Sequence, residues 1–552
     1  LHKAIRRQRQ MCIRDRFLTI PKLLISQDIC LQNEYNKLFG AKPESKESAD
    51  SMNVLLITSD QHHWMAVGYN DPKCKTPNLD RLAKYGVVFD RAYTTNPTST
   101  PARASIITGM YPSQHGAYAL GTKLMENVPC LGDYLNDEGY QTALVGKAHF
   151  QPLKATAEYP SAEAYPLVHD LEFWEKFNGP FYGFNHVELT RNHGDEGHVG
   201  QHYALWLEDK VGDKWKEWFC KPLGKKDKKE FGEWSIPERY HMNAWITERC
   251  NSLIDDYIKE DKRFFIWASF FDPHPPYLLP EPWASMYNPD DMDIPESYGD
   301  DVSDMPLQYR MTRDSKLDKH IYDEGAQSFH VHGVGSRVIH KDRVKVSKAY
   351  YYGMISMMDY YIGKILDKLE QENLLNKTLI IFTTDHGNFI GEHGLGAKGV
   401  FDYEDGVKIP FIASCPGVIP EGRRTNALVS LADIAPTVLD FLKIKIPSTM
   451  TGVSQLNVMK GTADKVREHV FIENHFQMTK FYFKTYVNGR YKLSVDMNSN
   501  EGELFDLEND PNEMENLWDN PNYKDIKREL LLEFIQKSMK TEPVVMPRIA
   551  VA

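Results

Sequence analysis

The chain has 552 residues, 41% hydrophobic and 26% charged, which is enough to bury a large core divided between more than one domain. Its net charge of −12 argues against a nucleic-acid binder or a protein of acidic membrane surfaces, so an anionic ligand must be held by local cations. Seven scattered cysteines without a CxxC pair exclude a dense disulfide framework and a zinc ribbon, though not one isolated bridge.

No stretch reaches the roughly 18 apolar residues of a membrane span. Residues 1–16 are strongly basic, and the short apolar run that follows, interrupted by Pro21 and Lys22, does not read as a secretory signal. Met11-Cys12-Ile13-Arg14-Asp15-Arg16 resembles a translated sequencing-adapter end, so 1–50 is expected to be a disordered or artefactual segment, closed by the polar linker 41–51.

From Asn53 the pattern changes. Asn53-Val54-Leu55-Leu56-Ile57-Thr58-Ser59 is a continuous apolar run, read as a buried parallel strand that delivers Asp60 and Gln61 to its carboxyl end. A short helix is expected at Pro77–Ala83, followed by a strand around Val87–Phe89. Next comes Asn96-Pro97-Thr98-Ser99-Thr100-Pro101-Ala102-Arg103, which sets a hydroxyl two residues before a proline and four before an arginine. With Pro101 at the first helical position, Ser99 lies just outside a helix start, where backbone donors and Arg103 converge on an anion.

The strand plan recurs three times, at residues 141–146 before Lys147 and His149, at 263–270 before Asp272 and His274, and at 378–384 before Asp385 and His386. Strands sharing one sheet edge gather ionisable residues in this way by construction. A helix spans Val344 to Glu370, and Lys398 lies in a glycine-rich loop just past His386. The stretches 152–239 and 280–343 read as surface insertions that roof a pocket. The first of them carries Arg191-Asn192-His193-Gly194-Asp195-Glu196-Gly197-His198, with His193 as a substrate contact. Asp433 is expected to cap a helix. The fold expected is α/β: a large mixed, mostly parallel sheet flanked by helices over 51–455, then a C-terminal subdomain, 456–552, with a small antiparallel sheet and a helix from about Tyr523 to Lys537.

Asp60 and Asp385, with oxygen and imidazole donors beside them, suit a hard divalent cation. Arg103, Lys147, Lys398, His149 and His274 supply what cleavage of an oxyanion ester needs: neutralised oxygens, an oriented nucleophile and a proton for the departing alkoxide.

Taken together, the DQ after the first strand, SxPxR…TG, GKxH, DPHPPY, TTDHG followed by GLGAK, and the late ELFDLENDPNE resemble the serine-type, formylglycine-dependent type I sulfatases of the alkaline phosphatase superfamily. The resemblance implies a sulfuric ester hydrolase acting on a sulfated carbohydrate or small alcohol. It implies that Asp60, Gln61, Asp385, His386 and residue 99 hold Ca2+, with Mn2+ as the alternative. Ser99 would be converted to formylglycine by a radical maturase of bacterial type. Arg103, Lys147 and His149 would support that residue, while Lys147, His274 and Lys398 bind the sulfate. In the family mechanism one hydroxyl of the hydrated aldehyde attacks sulfur and the alcohol leaves; ionisation of the second hydroxyl then expels sulfate. His149 is expected as the base and His274 or Lys398 as the acid. Many members have Asp where Gln61 stands and Asn where His386 stands, and the DQ and DH pattern is also similar to phosphonate monoester hydrolases. Phosphodiesters and phosphonates therefore remain alternative substrates, and an inactive glycan-binding relative is a third possibility. Likeness to bacterial relatives acting on external glycans implies a periplasmic or secreted protein, with a cytoplasmic one left open.

Overall fold

The computed structural model describes residues 52–220, 230–313, 340–476 and 479–544. The expected N-terminal segment, its linker, Cys12 and Cys30 lie outside the described residues. From Met52 onward the chain forms one compact unit.

The strands, in chain order, are β1 (Asn53–Ser59), β2 (Gly86–Tyr93), β3 (Gln141–Gly146), β4 (His186–Leu189), β5 (Phe231–Glu233), β6 (Phe264–Ser269), β7 (Tyr277–Leu279), β8 (Thr378–Thr384), β9 (Phe389–Ile390), β10 (Gly396–Ala397), β11 (Lys408–Ile409), β12 (Phe411–Ser414) and β13 (Arg423–Ser430). Nine of them make one sheet in the order β11-β2-β12-β8-β1-β6-β3-β4, with β13 beside β2. Its central strands β8, β1, β6, β3 and β4 are all parallel, and β11 and β12 run antiparallel to their neighbours, so the sheet is mixed and mostly parallel.

Continuous apolar runs form these strands because both faces are covered. Leu55 and Ile57 point into a core shared with the helices Pro77–Lys84, Met242–Lys259 and Lys341–Gln371. Val54 and Leu56 point the other way, against the helices Ser99–Thr108 and Ile434–Phe441. The register aligns Ser59 with Thr384, Thr58 with Ser269 and Ser269 with Gly146, so four strands stop at one level and the residues just beyond them share one edge.

Two local expectations change. The helix begins at Ser99 itself, after Thr98 as N-cap, which puts Pro101 at the third helical position. The N–H groups of the whole first turn lack intrahelical acceptors, so proline is tolerated there without shifting the start, and Ser99 lies within the first turn. Asp433 makes no side-chain cap to the helix Ile434–Phe441. Its carboxylate instead accepts bonds from Ser430 N, Val453 N, Gln455 Nε2 and Arg467, tying buried segments together. The described cysteines, Cys74, Cys130, Cys220, Cys250 and Cys415, are all buried. Among the described residues no helix is long and apolar enough to cross a membrane.

A second, antiparallel sheet follows: β14 (Val470–His475), β15 (Tyr482–Val487), β16 (Tyr491–Asp496) and β17 (Gly502–Asp506), paired in sequence order. The helix Lys524–Lys540 packs Leu530 and Phe534 over Phe471, Tyr486, Leu493 and Leu504.

Gly146 closes β3 at φ +110, where a Cβ would sit 2.0 Å from the Ser269 carbonyl oxygen. That same oxygen accepts the Lys147 amide at 3.1 Å. Gly146→Ala should therefore lower unfolding stability by at least about 2 kcal/mol in urea titrations and displace Lys147. Unchanged stability would show that the β3–β6 edge is not this tightly determined.

Candidate active site

The four expected strand ends belong to four neighbouring strands. Asp60 and Gln61 follow β1, Asp385 and His386 follow β8, Lys147 and His149 follow β3, and Asp272 and His274 follow β6. Ser99 reaches this edge from the first turn of its helix, and its Oγ lies 3.1 Å from His386 Nε2 and 3.4 Å from both Asp60 Oδ1 and Lys147 Nζ. All four of these side chains are buried.

Arg103, one turn along the helix, is fully buried. Its Nε donates to Asp385 Oδ2 at 2.9 Å, and Nη1 donates to the Lys147 carbonyl at 3.1 Å and to Ser269 Oγ at 2.8 Å. Burial alone would raise the Asp60 carboxyl, but Lys147, His274, His193 and Arg103 hold it well below the usual range. Asp385 is likewise pushed up by burial and by Asp60, yet His386, Arg103 and Lys147 bring it below its ordinary value. Both are therefore anions in a desolvated site. The burial that penalises them also draws the Lys147 ammonium down to about 7, against the pull of Asp60, with which it is ion-paired.

The tautomers of two histidines follow from their backbone partners, because a carbonyl oxygen can only accept. His386 Nδ1 lies 2.9 Å from Gly387 O and must donate, which leaves Nε2 as a bare lone pair facing Ser99 and, at 3.3 Å, Lys398 Nζ. Burial pushes this ring down to about 4, so it is neutral. His274 Nδ1 donates to Pro275 O at 2.6 Å, and its Nε2 accepts from Lys398 Nζ at 3.1 Å. His193 stacks on His274 with ring centroids 3.8 Å apart, and its Nε2 lies 3.2 Å from Lys147 Nζ and 3.3 Å from Asp60 Oδ2. The loop after β4 thus does enter the site.

His149 differs. Its backbone amide donates to Glu163 Oε1 at 2.7 Å, its Nδ1 is buried without a partner, and no hydrogen bond joins its ring to Ser99 among the described residues. Burial and the cations Arg191, Lys147 and Arg103 hold the ring well below its usual range.

Two triplets have ligand atoms within 4.8 Å of one another: Asp60 with Asp385 and His386, and Asp60 with His193 and His274. Charge separates them. Lysine ammonium groups lie beside both imidazoles of the second and, through Lys398, beside His386 of the first, but the first has two carboxylates where the second has one. Gln61 adjoins the first, its amide N donating to Asp385 Oδ1 at 3.0 Å and its Nε2 to Asn388 Oδ1 at 2.7 Å. Its Oε1 is buried with no donor, an acceptor that a cation would satisfy. Oxygen donors in the majority, with one imidazole, fit a hard divalent ion.

The sequence pattern did not single out Glu163 or Asn388, and it placed Arg191 only within the stretch 191–198, of which His193 was the residue expected to touch substrate. Glu163 and Asn388 act by orienting neighbours, and Arg191 follows a four-residue strand too short to stand out.

A family model described as sulfatase matches residues 52–444, and one described as N-sulphoglucosamine sulphohydrolase, C-terminal, matches residues 391–540. An arylsulfatase of Clostridium perfringens is 28% identical over 505 residues, covering 88% of this chain and 94% of its own length. An N-acetylglucosamine-6-O-sulfatase of Bacteroides thetaiotaomicron is 27% identical over 520 residues, covering 91% and 88%. The solved structure of a phosphonate monoester hydrolase from Silicibacter pomeroyi superposes with a TM-score of 0.73 at 21% identity, covering 89% of this chain and 96% of its own.

If the first triplet is the metal centre, calcium at about a hundred times its Kd should stabilise the fold by about 2.7 kcal/mol, read as a rise in melting temperature. Asp385→Asn should abolish most of that rise. An unchanged melting curve for the wild-type protein would remove the assignment.

Proposed function

Taking as premise that the chain belongs to the sulfatase family, we propose that it hydrolyses a sulfate ester on a carbohydrate or small alcohol, with residue 99 as nucleophile. The observation that carries this reading is the position of Ser99 Oγ, within reach of the Asp60 carboxylate, the His386 imidazole and the Lys147 ammonium at the start of a buried helix.

Asp60, Gln61, Asp385 and His386 would hold calcium, or alternatively manganese, together with residue 99, and the ion when bound would polarise the sulfate ester. Oxidised to formylglycine by a serine-type radical maturase, residue 99 would supply a hydrated aldehyde, with one oxygen to attack sulfur and a second hydroxyl whose ionisation expels sulfate.

The chain's own groups do the rest. Arg103 fixes Asp385 and, through the Lys147 carbonyl, the end of β3, so the nucleophile and the sulfate site keep one geometry. Lys147 and Lys398 face the sulfate oxygens. Because His274 Nε2 is an acceptor, the proton of the His274–Lys398 pair sits on Lys398 Nζ, which makes Lys398 the acid for the leaving alkoxide and His274 the group that aims it. His149, held uncharged by burial and by neighbouring cations, would serve as the base only once the second hydroxyl of the hydrated aldehyde reaches its ring, since the ring makes no bond to Ser99 among the described residues. His193 covers the pair and excludes water.

A second reading is a phosphonate or phosphodiester hydrolase using the same site. A phosphodiester or phosphonate monoester carries the same single negative charge as a sulfate ester, so Lys147 and Lys398 suit either group.

Co-expression with a serine-type maturase should lower the intact mass by about two daltons, the loss of two hydrogens in the conversion of alcohol to aldehyde. The matured protein should then hydrolyse 4-nitrophenyl sulfate faster than 4-nitrophenyl phenylphosphonate; the reverse order would establish the second reading. Lys398→Ala and His274→Ala should each lower turnover by about a hundredfold or more. Rates within twofold of wild type would overturn their roles.

A further inference from the structure

Arg191 is a cation in this site that the hydrolytic chemistry does not use. It is only 5% exposed, yet among the described residues its Nε and Nη1 are buried without any hydrogen-bond partner. A guanidinium stripped of water and left without acceptors is costly, and proteins keep such a group where an anion arrives to take its donors.

Its position is fixed from both sides. Thr190 N donates to Gly146 O at 3.2 Å, next to Lys147, and two residues beyond Arg191 the His193 ring meets Lys147 and Asp60. Between them, Thr190 Oγ1 donates to Asn192 Oδ1 at 2.8 Å, and Asn192 Nδ2 donates to the Gly194 carbonyl at 3.1 Å, which sets the loop.

The acids that act on Arg191 are Glu163, Asp60 and Glu196, and each is committed elsewhere. Glu163 receives the amides of His149 and Gln151, both at 2.7 Å. Asp60 is paired with Lys147 and His193, and Glu196 with His193 and His198. None forms an ion pair with Arg191 among the described residues.

We propose that Arg191 is an anion subsite beside the scissile position, which selects substrates carrying a second negative group, such as another sulfate or a carboxylate, near the ester that is cleaved. This rests on the sulfate-ester reading for the location of the scissile group. It adds that the preferred substrate is a dianion, and it makes Arg191 a determinant of specificity whose guanidinium grips the second anion in bidentate fashion.

Binding separates this proposal from the activity. The serine form, loaded with calcium and not matured, is titrated calorimetrically with N-acetylglucosamine 6-sulfate, which carries one anion, and with glucosamine 2-N,6-O-disulfate. A matched pair of 2-sulfated hexose and 2-sulfated uronic acid distinguishes carboxylate from sulfate as the second group. Wild type should bind at least one dianion about tenfold or more tightly than its singly charged counterpart. Arg191→Gln should erase that preference, and Arg191→Lys should retain part of it. Equal affinities in wild type, or a preference that survives Arg191→Gln, would overturn the subsite. Equal losses on the singly charged ligands would overturn it too, by showing that Arg191 holds the scissile group or the fold. Failure of the sulfatase reading would show separately, as absence of turnover after maturation.

Discussion

The ion pair of Arg103 with Asp385, both fully buried, ties the Ser99 helix to the sheet. Through its other nitrogens the same guanidinium reaches the carbonyl that follows β3 and the hydroxyl that ends β6. Three strand ends and one helix start are thereby held by a single planar group whose fork fixes direction as well as distance. A lysine there could neutralise Asp385 but could not bond to all three partners in one plane. The pair also explains how a carboxylate stays ionised in a desolvated site, since each charge removes the penalty of the other only when both are in place.

The second sheet carries part of the same burden. Glu473 N on β14 donates to Thr95 O at 2.8 Å, and Asn96 Nδ2 donates back to Glu473 O at 2.5 Å, bracing the loop that leads into Ser99. Further along, Asp402 accepts from Asn474 Nδ2 at 2.9 Å and Thr485 Oγ1 at 2.6 Å, and its carbonyl accepts from the buried Lys492 Nζ at 2.6 Å. Asp402 lies four residues after Lys398, so the antiparallel sheet steadies the loop that carries that ammonium. Residues of the C-terminal sheet thus support two groups of the site although none of them reaches the ester.

Strand ends were readable from sequence because a fully buried parallel strand has one pattern, a short apolar run that breaks into polar residues where the sheet stops. Asp60, Lys147, His274 and Asp385 were all placed on that ground, and all four meet. The order β8-β1-β6-β3 was not readable, since pairing depends on contacts between segments some three hundred residues apart. Ser99 was placed one step outside its helix because proline at the first helical position is the commoner arrangement; here it stands two positions further on, where it is equally free of a lost bond. Arg191 was readable only as a member of the loop 191–198, with no role of its own. Its type suggests a solvated surface, and only burial, together with the prior commitments of Glu163, Asp60 and Glu196, turns it into an unsatisfied cation.

These commitments bear on how an acidic chain manages an anionic ligand. At a net charge of −12 the overall field repels such a ligand, and the attraction must be short-ranged. Arg103, Lys147, Lys398 and Arg191 provide it from within a low-dielectric pocket, where each charge acts over a few ångströms with little screening. Two of the four are offset by Asp385 and Asp60. Lys398 faces only neutral imidazoles, and Arg191 has no direct partner among the described residues. The charge not offset by a direct ion pair is therefore that of Lys398 and Arg191, while Lys147 and Arg103 act from within their pairs with Asp60 and Asp385.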